Sequence, residues 1–140
     1  IQLRRMQAWH QQRIKNAEQI WSAASLLSCL RVPRVVNDTV HAAYKCYVFV
    51  KPELLKVDWN RDRILAEIAA RGVPSFSGSC SEVYLEKAFD GTGYRPAEPL
   101  PVARELGATS MMFMVHPTLT EAEIAKTCAV LKDVMVLATA

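Results

Sequence analysis

Leu3, Met6, His10, Ile14, Ala17, Trp21 and Ala24 follow one another at spacings of three and four, the stripe of a single helix face. Arg5, Gln12, Lys15 and Gln19 fall mostly off that stripe. The pattern predicts a helix running to about Leu30, where Arg31-Val32-Pro33 ends it, because proline disfavours helix in the residue before it. Such a helix would be ~45 Å long. A compact domain of this size has a radius of gyration of only ~14 Å, so one end should project or pack on something outside the chain.

Beyond it the pattern changes period. Tyr44 to Val50 alternates, with Tyr44, Cys46, Val48 and Val50 on one face and Lys45, Tyr47 and Phe49 on the other, which reads as a strand closed by Pro52. Asn60 is placed to cap a helix from Arg61 to Arg71 with Ile64, Leu65 and Ile68 inward, and Gly72 supplies its left-handed stop. A further strand is expected near Val73–Ser77. From Ser75 to about Pro101 runs a long Ser-, Gly- and Pro-rich loop with one short helical turn around Glu82 to Phe89. Loops of that length in compact domains tend to carry function. Pro101 to Leu106 reads as a short helix ended by Gly107, and Met111 to Val115 as a buried strand. Thr120-Glu121-Ala122-Glu123 has the form of a capping box opening a last helix lined by Ile124, Cys128, Leu131 and Met135. The expected fold class is α/β in a two-layer sense: a small antiparallel or mixed sheet covered by helices. Residues 1–34 form the long helix and residues 35–140 the domain, with no internal repeat and no further boundary.

A length of 140 residues with 51% hydrophobic and 22% charged side chains describes one domain with an ample core. No apolar run approaches the ~20 residues of a membrane helix, and no basic-then-apolar leader opens the chain. It opens on Ile1 rather than methionine, which reads as a piece of something longer. The net charge of +3 divides unevenly: residues 1–34 carry six basic side chains against Glu18 alone, a balance of +5, and the remainder is −2. With no clustered basic tract and no interleaved aromatics, the basic segment reads as a solvated helix face, and no nucleic-acid partner is expected.

Cys29, Cys46, Cys80 and Cys128 lie far apart without zinc-ligand spacing, so neither a metal nor a disulfide framework is expected. Three fall in apolar patterns, which suits a reducing, cytoplasmic compartment. Cys80 alone stands among Ser and Gly. The run Ser77-Gly78-Ser79-Cys80-Ser81-Glu82 resembles an anion-binding turn, yet it lacks both the spacing and the lysine of a phosphate loop and the second glycine of a hydrolase elbow. A Cys80 nucleophile would need His41 or His116 as its base, and no local signature supports that pairing. Both histidines read as turn residues bonding backbone. Glu82 and Glu86 stand four apart on the expected turn, where a capping or solvated role fits better than acid–base work.

Three stretches taken together resemble the C-terminal portion of the DegT/DnrJ/StrS family of pyridoxal-phosphate-dependent sugar aminotransferases. They are Gln2-Leu3-Arg4-Arg5-Met6 through Arg13 and Asn16-Ala17; His41 to Val50 with the Arg61–Gly72 helix and Val73-Pro74; and Leu100-Pro101-Val102-Ala103 with His116-Pro117-Thr118-Leu119-Thr120 and the capping-box helix. The resemblance implies a fold-type-I transaminase that passes an amino group, usually from glutamate, to a keto sugar on a nucleotide diphosphate. It also implies pyridoxal phosphate held as a Schiff base by a lysine of a large domain upstream of Ile1, so no catalytic, cofactor-binding or metal-binding residue is assigned here, and the chain alone should be inactive and cofactor-free. A homodimer and the missing N-terminal large domain are the implied partners. By position, the loop after Gly72 would meet the substrate, with Ser77, Ser79, Cys80 and Glu82 as contacts. Many members carry a threonine–glycine then histidine–tyrosine stretch there, which Ser75 to Tyr84 lacks. Two alternatives stand beside this reading: a non-catalytic nucleotide- or phosphate-binding module using Arg4, Arg5 and the Ser/Gly loop, and a sugar dehydratase of the same family. If the long helix packs on a large domain, Leu3, Met6 and Trp9 are exposed here, and the isolated chain associates through them.

Overall fold

The computed structural model describes residues 1–139. Its elements in chain order are α1 (Gln2–Ser25), β1 (Leu30–Arg31), β2 (Cys46–Val50), α2 (Arg61–Ala70), β3 (Ser75–Phe76), α3 (Pro101–Thr109), β4 (Ser110–Phe113) and α4 (Glu121–Ala138), with single 3-10 turns at Pro52–Leu54, Val83–Leu85 and Lys87–Phe89. The four strands make one antiparallel sheet in the order β1-β2-β4-β3. This is the expected α/β class.

The pleat sorts the sheet's side chains into two sets. Cys46, Val48 and Val50 of β2, with Met111 and Phe113 of β4, turn toward α1, α2 and α4 and are buried with Ala17, Ile20, Ala24, Ile64, Ile68, Ile124, Leu131, Val134 and Met135. This continuous apolar layer is the core. The opposite face carries Tyr47, Phe49 and Met112, in register with Phe76 on β3. There Tyr47 and Phe49 stack, the Arg31 guanidinium lies 4.2 Å over the Phe49 ring, and the chain after β3 comes back across Tyr47. The edge of that second layer is where the candidate site lies.

The caps follow the sequence. The Asn60 side chain accepts from the Arg63 amide at 2.9 Å, Gly72 takes φ +73°, and Thr120 and Glu123 form a reciprocal capping box. Several boundaries differ from expectation. α1 stops at Ser25, not Leu30, because a turn over Leu26–Cys29 frees Leu30 and Arg31 to pair with Val50 and Phe49. That two-residue strand is too short for any period to reveal. β2 starts at Cys46, and Tyr44, expected on the face of Cys46, Val48 and Val50, is 72% exposed: Ala43 turns the chain at φ +45° just before the strand. α3 does not end at Gly107 but runs through it to Thr109, since that glycine sits in a helix without positive φ. β4 is Ser110–Phe113, starting one residue and ending two residues earlier than expected, although Val115 is still buried. In place of one helical turn at Glu82–Phe89 there are two separate 3-10 turns with extended backbone at Glu86 between them, so Glu82 and Glu86 do not share a helix face. Cys128 is only half-buried in α4.

Candidate functional site

After β3, Gly78 adopts φ +92°, and a Cβ there would stand 2.8 Å from the Tyr47 ring, so only glycine lets the chain cross so close to the sheet. The turn is anchored at its base: the Ser77 carbonyl accepts from the Ser110 hydroxyl at 2.7 Å, and the Arg61 side chain reaches the Ser110 carbonyl at 2.9 Å. Beyond it Ser79 and Tyr47 share a hydroxyl–hydroxyl bond of 2.9 Å.

The next residues open an accessible depression of about 420 Å³ lined by Ser77, Ser79, Cys80, Ser81, Glu82, Leu85, Glu86, Lys87 and Gly107. All four residues singled out in the sequence, Ser77, Ser79, Cys80 and Glu82, therefore share one pocket. Ser81 on the same run, Leu85, Glu86 and Lys87 from the two 3-10 turns and the residue between them, and Gly107 from α3 were not foreseen as lining. Inside it the Cys80 thiol donates to Glu86 Oε1 at 3.2 Å, and the Tyr84 hydroxyl donates to Glu82 Oε1 at 2.7 Å. The bond to Glu86 pushes the Cys80 thiol up, because a thiolate beside a carboxylate would lose that bond and meet like charge. For the same reason the bond to Glu82 pushes the Tyr84 phenol up. Cys80 is thus held as a protonated thiol, the opposite of an activated nucleophile.

Neither histidine serves Cys80. His116 Nδ1 pairs with the Thr118 hydroxyl at 2.7 Å and accepts from the Thr118 amide at 3.4 Å, and His41 Nδ1 accepts from the Ala43 amide at 3.0 Å, the backbone-turn roles expected of them. That second bond holds the left-handed Ala43 and shapes a neighbouring depression lined by His41, Tyr44, Lys45, Tyr47 and Ser79. A third, apolar groove continues from it along α1, between Met6, Trp9, His10 and Arg13 and the segment Val40–Tyr44. Leu3 is 81% exposed, Met6 59% and Trp9 38%, as expected of a helix that packs on a larger domain. The remaining thiols are packing groups: burial pushes Cys46 up to about 12 and raises Cys29 and Cys128.

Pyridoxal phosphate needs a lysine free to reach it in an enclosed site. Lys15 instead pairs with Glu121 at 2.7 Å, while Lys51, Lys56 and Lys126 bind the carbonyls of Ser28, Leu137 and Gly72. Lys87 and Lys132 are exposed, and Lys45 borders only shallow depressions. The described residues do not by themselves fit the cofactor. No group of three or more His, Cys, Asp or Glu side chains suited to a metal occurs among them, and no helix among them is long and apolar enough to cross a membrane.

A four-stranded antiparallel sheet backed by α1, α2 and α4 is an arrangement this chain shares with part of each of several solved aminotransferases. The structural neighbours are aminotransferases of the DegT/DnrJ/EryC1/StrS sugar aminotransferase family, as the sequence resemblance implied. An aminotransferase from Psychrobacter cryohalolentis is 49% identical and superposes with a TM-score of 0.93 over 98% of this chain and 37% of its own. A DegT DnrJ EryC1 StrS aminotransferase from Brucella abortus, 22% identical, superposes at 0.76 over 94% of this chain and 32% of its own. NtdA from Bacillus subtilis, solved with bound cofactor PMP, is 14% identical and superposes at 0.76 over 92% and 29%. The last two share the fold. No family model and no curated protein matches the chain. The chain spans about a third of the length of the structures it matches.

Proposed function

We propose that residues 1–140 are the smaller, C-terminal domain of a pyridoxal-phosphate-dependent aminotransferase that passes an amino group from an amino acid, glutamate in the first instance, to a keto sugar carried on a nucleotide. The observation that carries this is the 49% identity to an aminotransferase over 98% of the chain. The cofactor supplies the electron sink for the chemistry, and its lysine belongs to the part of the protein upstream of Ile1. In this reading α1 (within residues 1–34) joins the two parts, and its apolar groove with Val40–Tyr44 seats the larger one. The loop after β3 closes over the substrate, with Ser77, Ser79, Cys80 and Glu82 in contact. The whole protein is a cytoplasmic homodimer, and residues 1–140 alone neither bind the cofactor nor turn over.

The phosphate-binding alternative needs Arg4 and Arg5 at the Ser/Gly loop. Neither lines that pocket, whose charged groups are Glu82, Glu86 and Lys87. The transferase and dehydratase alternatives are separated by the donor. The protein expressed with its upstream coding sequence, mixed with glutamate and cofactor, is expected to release 2-oxoglutarate when a nucleotide-linked keto sugar is added. Residues 1–140 alone should release none. Loss of water from the sugar without release of 2-oxoglutarate would make it a dehydratase, and activity of the isolated chain would overturn the domain assignment.

A further inference from the structure

We infer that Tyr84 is a positioning residue for the Glu82 carboxylate, and that the pocket Glu82 lines receives a neutral, hydroxyl-bearing ring rather than a phosphate. This rests on the substrate-loop role proposed above and says which part of the substrate the loop reads.

Tyr84 is buried, with 9% of its surface exposed. Its hydroxyl donates to Glu82 Oε1 at 2.7 Å and accepts from the Leu100 amide, at the start of α3, at 3.1 Å. A single phenol thus ties the carboxylate to a helix end. Its backbone is fixed as well. The Arg95 guanidinium donates to the carbonyls of Tyr84, Leu85 and Glu86 at 2.9, 3.0 and 3.2 Å, and it pairs with Asp90. These bonds order an otherwise exposed stretch around one carboxylate.

The helix side of the pocket carries an independent mark. Glycine inside a helix is unfavourable relative to alanine, yet Gly107 lies within α3. A Cβ there would stand 2.5 Å from the Ser81 hydroxyl and 3.9 Å from Glu82 Oε2. The missing side chain lets the helix close on the Ser81–Glu82 turn, with Glu82 and Gly107 side by side in the pocket lining. Glu82 therefore has one oxygen bonded to Tyr84 and the other beside Gly107.

Charge then selects the ligand. Glu82 and Glu86 face a single ammonium, Lys87, and the other polar groups are serine hydroxyls and a protonated thiol already bonded to Glu86. The balance is negative, which repels phosphate. Carboxylate oxygens accept strongly from hydroxyl donors, and serines both donate and accept, the complement of a ring with several hydroxyls. The anionic part of a larger substrate would lie elsewhere.

The test uses the 140-residue chain, amide-resolved NMR and two separate probes, methyl α-D-glucopyranoside and inorganic phosphate. The glucoside is expected to shift the amides of Ser79, Cys80, Glu82 and Gly107, and phosphate to leave them in place. Tyr84→Phe keeps the buried ring, so most of the spectrum should hold. The Glu82 side-chain carboxyl carbon should move, and glucoside affinity should fall about fivefold or more, the loss expected of one hydrogen bond. Glu82→Gln, which leaves the Tyr84 contact intact, gives a second route to the same loss should the first variant not fold. Phosphate shifting these amides, no response to the glucoside, or unchanged affinity in the variants would overturn the inference. None of these results depends on cofactor or turnover, so the aminotransferase reading stands or falls separately.

Discussion

Cys80 is the one exposed thiol among the four, yet its proton is held by Glu86. With its titration pushed above the ordinary thiol range, its thiolate is scarce near neutrality and becomes available only as pH rises. Alkylation with iodoacetamide should therefore be slow at pH 7.5, accelerate into the alkaline range, and become several-fold faster at pH 7.5 in Glu86→Gln. An unchanged rate in that variant would show that the carboxylate does not hold the proton. Local composition was enough to set Cys80 apart, since its neighbours are Ser and Gly while the other three sit in apolar patterns. The partners were not legible. Glu86 comes to Cys80 only because the chain breaks into two 3-10 turns, and Tyr84 reaches Glu82 across a turn with no helical or strand period. Alternation placed Tyr47 on the face opposite Cys46, Val48 and Val50, but nothing in its own stretch says that Ser79 returns to meet it.

α1 is buried along only part of its length. Asn16, Ala17, Ile20 and Ala24 are buried against the domain, and the buried Asn16 amide donates to the His116 carbonyl at 3.2 Å. The first three turns carry Leu3, Met6 and Trp9 in the open beside a groove of about 580 Å³. Apolar side chains clustered this way drive association. The 140-residue chain should self-associate with rising concentration in sedimentation, and a double Leu3→Glu, Met6→Glu variant should stay monomeric with its helix content intact. A wild-type chain that remains monomeric up to high concentration would contradict this. The three-and-four spacing revealed the helix because one long element repeats its period many times. The same pattern misplaced its end, because the turn at Leu26–Cys29 and the two-residue β1 are dictated by pairing with β2, which no local period encodes. α3 shows the converse. Its glycine looked like a stop but lies inside the helix, where the close approach of Ser81 accounts for it.

At the scale of the molecule, a closed core on one side of the sheet coexists with open features elsewhere: a polar loop pocket, a depression around Lys45 and Tyr47, and a groove along α1. The core explains why the chain folds, and the open features are where the proposed contacts with substrate and larger domain fall. The lysines of the described chain are engaged with carbonyls or a carboxylate, or lie outside any enclosed site. The central claim is therefore that this domain shapes the substrate end of an aminotransferase whose cofactor is gripped by residues beyond it. The direct measurement is to express the protein with its upstream coding sequence, add pyridoxal phosphate, reduce with sodium borohydride, and locate the cofactor-modified peptide by mass spectrometry. The account predicts one modified lysine outside residues 1–140. A modification confined to a lysine within residues 1–140, or no modification at all, would contradict it.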